Sequence, residues 1–342
     1  MRLLIVSDAW APQVNGVVTS LRALVAELEA MGHQVRLLSP AEFRSRPCPS
    51  YPEIPLAWDL WKVGPAIEAF APDCVHLATE GPLGWAARRW LLRRGLAFTT
   101  AIHTRFPEYL NNRWSWLPLS FGYAVLRRFH APSAAVLVSS ERMRGAFADW
   151  GVQGLELWRK GVDTTQFQAG PGPAEGPVFL YVGRLAPEKN LEAFLDLDLP
   201  GLKRVVGDGP SCGELRARYP QVEFLGYRHG QALAEAYRAA SVLVFPSRTD
   251  TLGLVMYEAL ACGTPVAAFP VPGPLDVLEE GVTGAVDPDL GKACLRALRL
   301  DRQACAEWAA GQSWRLSALQ FLALQRPLGE PGEVIEAEAL AD

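Results

Sequence analysis

Among the 342 residues, no apolar run approaches the ~18 needed to cross a membrane. The amino terminus carries one Arg and four apolar residues before Ser7, which reads as a first strand and not a secretory leader. No C-x-x-C pair occurs, and the six cysteines (Cys48, Cys74, Cys212, Cys262, Cys294 and Cys305) are widely scattered. That pattern suggests neither a zinc site nor a disulfide framework, and fits reduced core thiols in a cytoplasmic protein. G-x-G-x-x-G is missing after the first strand, so a nicotinamide cofactor is not favoured. No basic excess exists either. The net charge of −4 argues against nucleic acid as a partner.

What is present is ordinary for a globular chain: 49% apolar and 20% charged residues, at a length that suggests about two domains. Tryptophan stands out, with eleven residues, several among arginines. Trp58 and Trp61, the run Arg88-Arg-Trp-Leu-Leu-Arg-Arg94, and Arg113-Trp-Ser-Trp116 form either a surface that rests on anionic lipid head groups or helix faces with half-buried Trp and solvated Arg.

The chain alternates short apolar strands with amphipathic helices. Leu3–Val6 is a strand, Ser7–Gly16 a polar turn, and Val17–Met31 a helix with Val17, Leu21, Leu24, Val25 and Leu28 on one face. Strands follow at 35–38, 74–78, 98–102 and 135–139, with helices over 58–70, 85–94 and 141–150. Residues 43–58, with four prolines, are expected to be an irregular loop. Residues 169–177 contain only Ala, Gly, Pro and Glu and read as an interdomain linker. The pattern then restarts, with strands at 178–182, 202–206, 222–225, 242–245 and 266–269. Arg302–Leu324 reads as one long amphipathic helix, and the acidic stretch from Pro327 as disordered.

The densest chemistry lies in 247–266. Strand Val242–Phe245 ends at Pro246, a polar loop follows, and a helix starts near Gly253 and stops at Gly263. The open N–H groups of such a helix start suit a phosphate. Asp250 in the loop and Glu258 in the helix suit sugar hydroxyls. Upstream, Gly183-Arg184-Leu-Ala-Pro-Glu-Lys189-Asn190 follows a strand directly, and its two cations would stabilise charge on a departing pyrophosphate without a metal. His103 sits at the carboxyl end of a strand, where parallel sheets bind ligands, beside Arg105 and Glu108. Asn15-Gly16 ends the first loop at a helix start, where backbone can approach a phosphate.

Asp250-x7-Glu258, with Gly253, Ala259, Gly263 and Pro265-Val266, resembles the acidic-x7-Glu signature of the family 4 glycosyltransferases. These are retaining enzymes of the GT-B fold. The family usually has Glu first, and Asp250 is one methylene shorter. Gly183-Arg-Leu-x-x-Glu-Lys-Asn, Gly207-Asp-Gly-Pro210 and Gly161-Val-Asp163 resemble further family motifs, in the family's order. His103–Tyr109 with Glu80-Gly-Pro-Leu-Gly84 is similar to a bacterial subgroup containing GDP-mannose-dependent mannosyltransferases and lipid glycosyltransferases.

The resemblance implies an α/β GT-B protein, two Rossmann-like domains facing across a cleft: 1–168 on the acceptor side and 178–300 holding the nucleotide sugar, with 301–325 returning to the first domain. It implies retaining transfer of a hexose to an acceptor hydroxyl of a glycan or lipid. GDP-mannose leads as donor and a UDP-sugar follows; no cofactor or metal is required. Asp250 would hold sugar hydroxyls, and the amides of Thr251, Leu252 and Gly253 sugar or phosphate. Glu258 would take the ribose, Arg184, Lys189 and Gly16 the diphosphate, and Gly207 would line the nucleotide side. His103 would lie by the donor sugar. Two rivals remain: a nucleotide-sugar epimerase, for which no acid/base set can be placed, and a catalytically silent nucleotide-sugar-binding protein. Peripheral contact with a membrane's inner face is the accompanying expectation.

Overall fold

The computed structural model describes residues 1–329 apart from 12, 14, 49, 50, 106, 109–115, 117 and 251. It divides into two units: Met1–Arg159 with Arg315 onward, and Lys160–Trp314.

The first unit runs β1 (Arg2–Val6), α1 (Gly16–Ala30), β2 (Gln34–Leu38), β3 (Ser45–Cys48), β4 (Tyr51–Ala57), α2 (Val63–Phe70), β5 (Cys74–Leu77), α3 (Pro82–Leu92), β6 (Thr99–Ile102), α4 (Leu119–His130), β7 (Ala135–Val138), α5 (Glu141–Asp149) and β8 (Leu155–Leu157). Six of these strands form a parallel sheet, β2-β1-β5-β6-β7-β8. Along β1 the side chains alternate between two cores: Leu4 and Val6 face one with Phe98 and Phe129, and Leu3 and Ile5 the other with Trp158 and Phe321. Helices cover both faces, which is why the strands read as unbroken apolar runs.

The second unit runs β9 (Val178–Val182), α6 (Glu192–Leu195), β10 (Leu202–Val206), α7 (Cys212–Arg218), β11 (Glu223–Gly226), α8 (Gly230–Arg238), β12 (Val242–Phe245), α9 (Leu254–Ala261), β13 (Val266–Ala268), α10 (Pro272–Val277), β14 (Gly284–Val286), α11 (Leu290–Ala297) and α12 (Arg302–Ala310). Its sheet, β11-β10-β9-β12-β13-β14, is parallel and doubly wound. The last helix, α13 (Trp314–Leu324), places Ala318 and Phe321 in the first unit's core.

Strand order reverses between β1 and β5 in the first sheet and between β9 and β12 in the second. Loops leaving the carboxyl ends at such a reversal diverge to opposite faces and leave a crevice, the usual ligand position in open α/β sheets.

Several expectations need correction. Residues 43–58 are not wholly irregular: β3 and β4 pair antiparallel, with Pro47 opposite Pro55. Proline lacks an N–H, so it stops a central strand but is tolerated in a two-stranded ribbon with open edges. Residues 160–168 belong to the second unit, with Val162 and Phe167 buried in its core. Residues 169–177 do not join the units either. They lie on the second, where a Cβ at Gly170 would meet the Arg238 side chain at 2.5 Å. The long helix over 302–324 is two helices. Gln312, in the break, accepts the Val162 amide at 2.7 Å, and only α13 belongs to the first unit. The disorder expected from Pro327 is not seen at Leu328, whose amide bonds the Asp73 carbonyl at 2.9 Å; residues 330–342 lie outside the described set.

Candidate active site

The β9/β12 crevice brings two predicted loops together. After β9 the chain makes one helical turn, Pro187–Lys189, and leaves it through Asn190 in the left-handed region (φ 54°). The Asn190 side-chain amide donates to the Pro246 carbonyl at 3.0 Å, and the Thr249 hydroxyl to the Glu188 carbonyl at 3.3 Å. Buried Ser247 accepts the Asp250 amide at 3.3 Å, and Tyr181 donates its hydroxyl to the Arg184 carbonyl at 2.9 Å. Burial and the nearby Asp250 and Glu188 carboxylates push that phenol far above its usual range. The outcome is an ion pair: Lys189 Nζ lies 2.5 Å from Asp250 Oδ1, with both side chains about a quarter exposed. Arg184 is exposed on the same loop.

Glu258 follows just over one turn into α9. One carboxylate oxygen accepts the hydroxyl of buried Tyr237 at 2.7 Å. Burial raises the Glu258 carboxyl above its ordinary range, and the Tyr237 bond opposes this in part. Gly253 precedes α9 at φ +81°, where an added Cβ would sit 2.8 Å from the Phe245 ring. Leu252 points into the core and has only its backbone to offer a ligand. Thr251 lies outside the described residues. Gly207, at φ +139°, lets the loop after β10 pack onto the loop after β9: a Cβ there would fall 1.9 Å from the Gly183 carbonyl oxygen. The Leu185 amide then donates to the Asp208 carbonyl at 2.9 Å.

In the first unit, Gly16 is the first residue of α1, whose N-cap Asn15 accepts the Val17 and Val18 amides. A Cβ at Gly16 would meet nothing within 4 Å, so the glycine leaves open space beside the helix start. His103 follows β6 directly, its ring edge-on to Trp158 at 5.8 Å. Arg105 lies 3.9 Å from Glu108, which also accepts the Tyr123 hydroxyl at 2.5 Å.

Sequence reasoning missed Asp8, Tyr237 and the Glu80–His130 pair. Asp8, at the β1/β5 crevice, is buried and caps α3: its carboxylate accepts the Leu83 and Gly84 amides at 2.9 and 3.3 Å and the Thr79 hydroxyl at 3.0 Å. Burial outweighs those bonds and raises its carboxyl above the ordinary range. A polar residue after the first strand and proline at the α3 start were the available signals. Tyr237 carried none, because only the fold brings it to Glu258.

The chain thus holds two parallel, doubly wound α/β units, and the second places Arg184, Lys189 and Asp250 beside its strand reversal. Family models for Glycosyltransferase Family 4 and for Glycosyl transferases group 1 match residues 14–166 and 176–299. A GDP-mannose-dependent alpha-mannosyltransferase of Mycobacterium tuberculosis is 29% identical, covering 84% of each chain. A sulfoquinovosyl transferase of Arabidopsis thaliana is 30% identical over 84% of this chain and 63% of its own. Sucrose-phosphate synthase of Thermosynechococcus elongatus shares the fold, with a TM-score of 0.76, 22% identity, and 94% and 98% of the two chains covered. The protein is a glycosyltransferase of the GT-B fold. More closely, it belongs to the family 4 glycosyltransferases and is a hexosyltransferase. No helix among the described residues is long and apolar enough to cross a membrane.

Proposed function

We propose that the chain transfers mannose from GDP-mannose, with retention of configuration and without a metal ion, to a hydroxyl of a lipid or glycan acceptor. The Lys189–Asp250 pair at the β9/β12 crevice carries this reading. It sets a cation for the diphosphate beside a carboxylate for the sugar hydroxyls, and the adjoining helix supplies Glu258 for the ribose. Arg184 adds a second cation for the developing phosphate charge, the role a metal plays elsewhere. Thr251 to Gly253 would give amides to sugar or phosphate, Gly207 would line the nucleotide side, Gly16 would approach the diphosphate, and His103 the donor sugar. Similarity to the mycobacterial mannosyltransferase supports the GDP-mannose choice. A UDP-hexose donor is the second reading.

Thermal shift with GDP, UDP, ADP and their sugars, with and without EDTA, tests this, because a ligand of the folded state raises the melting temperature. GDP and GDP-mannose are expected to shift it equally with and without chelator. A response to UDP-sugars alone overturns the donor assignment, and loss of transfer in EDTA overturns metal independence.

Exposed Trp58, Trp61 and Trp116 support a lipid-facing surface on the first unit, with Arg44 and Arg46 stacked over Trp58 at 5.7 and 5.9 Å. Trp85 and Trp90 pack against the core instead, under Arg88 and Arg94. Vesicles containing anionic lipid should retain the protein, and Trp61→Ser should weaken that; equal indifference to anionic and neutral vesicles overturns the membrane contact.

A further inference from the structure

The first unit's crevice holds a second arrangement that the donor reading does not use. Glu80 lies in the loop after β5, beside the strand reversal, with about a quarter of its side chain exposed. Fully buried His130, the last residue of α4, meets it: Nε2 is 3.2 Å from Glu80 Oε1. The other ring nitrogen, Nδ1, lies 2.8 Å from the Thr100 hydroxyl, which is 3.0 Å from the Ser133 hydroxyl. Ser133 donates to the Ala135 carbonyl at 2.7 Å.

Counting hydrogens along this chain assigns direction. A carbonyl only accepts, so Ser133 spends its single hydrogen on Ala135. Thr100 must then donate to Ser133, and its oxygen accepts from His130 Nδ1–H. Nδ1–H is thereby committed to Thr100, which leaves Nε2 for the bond to Glu80 Oε1, so a buried ring with a fixed orientation determines where that carboxyl group points. The neighbouring carboxylate, Asp8, is consumed as the α3 cap, which leaves Glu80 as the acceptor group presented to the crevice.

We propose that Glu80 binds a hydroxyl of the glycosyl acceptor, and that His130 is the positioning residue that aims it. This rests on reading the second unit as the donor side. Among the described residues Glu80 is paired with His130 and with no Lys or Arg, so the site offers a diphosphate no such cation, while its exposed carboxyl oxygen suits a polyol hydroxyl. The ligand class is therefore a sugar or glycerol hydroxyl.

The test uses the full-length enzyme with GDP-mannose and two acceptor probes, methyl α-mannoside and dihexanoylglycerol. Glu80→Gln should raise the KM of the accepted probe about tenfold while the GDP-mannose Kd stays within about twofold. His130→Ala should reproduce the KM rise. His130→Gln, whose amide reaches the Nε2 position, should recover part of it, a pattern that loss of packing alone does not give. Wild-type KM in Glu80→Gln overturns the proposal, as does a parallel loss of donor binding. Failure of the wild type to bind any nucleotide sugar counts against the donor reading instead.

Discussion

Replacing Asp250 with Asn separates nucleotide binding from sugar transfer, because Asp250 acts on the two in opposite senses. Without ligand it neutralises Lys189 across 2.5 Å. A diphosphate must compete with it for that ammonium group. Both side chains are about a quarter exposed, so water screens much of the attraction, and about 1 kcal/mol is the appropriate scale. Relieved of this competition, GDP should bind Asp250→Asn about fivefold more tightly. The sugar feels the reverse. A charge-assisted bond to a hydroxyl contributes about 1.5–3 kcal/mol, so kcat/KM for GDP-mannose should fall about 10- to 100-fold. Calorimetric titration with GDP and initial rates with GDP-mannose read both quantities on one preparation. Tighter GDP with slower transfer supports the competition. Weaker GDP binding would falsify it and make Asp250 a brace for Lys189; unchanged transfer would remove Asp250 from the sugar site.

Lys189→Ala should weaken GDP binding and transfer together, each by tenfold or more, because it deletes the cation and leaves Asp250 facing the phosphates; equal Kd and rate in the variant refute the assignment. Glu258 has its carboxyl raised by burial in the folded state, so the folded chain holds that proton at pH values where the unfolded chain has lost it, and stability falls as pH rises from the ordinary carboxylate range through the raised value. Glu258→Gln should flatten this slope and raise the neutral-pH melting temperature while weakening nucleotide binding; an unchanged slope refutes the burial argument. Gly207→Ala should lower the melting temperature by several degrees, since its Cβ would enter the space of the Gly183 carbonyl.

The parallel units were legible because their strands are buried on both faces and read as apolar runs ended by glycine or proline. The loops bearing Arg184, Lys189 and Asp250 were legible for the same reason: each follows such a run directly. Less visible was anything set by contact between distant segments. Helix α4 carries Tyr123, Leu126 and Phe129 at helical spacing on its buried face. It went unread because exposed Phe121 and Val125 blur that stripe. The break before α13 depends on Val162 reaching Gln312, far away in sequence. The Lys189–Asp250 pair was hidden too, since the two residues were assigned to different parts of one ligand and the sequence does not say that they meet first.

Helix α13 gives the first unit its Phe321 and accepts the Trp158 indole N–H on the Ser317 hydroxyl at 3.0 Å. The first unit's core therefore includes residues made after the whole second unit. During synthesis residues 1–159 leave the ribosome before the second unit does, yet their core cannot close until α13 has also been made. The second unit, Lys160–Trp314, is continuous and needs no such wait. Of the two units, the one begun earlier is thus closed later, and its uncovered sheet face is where a nascent chain would call on a chaperone.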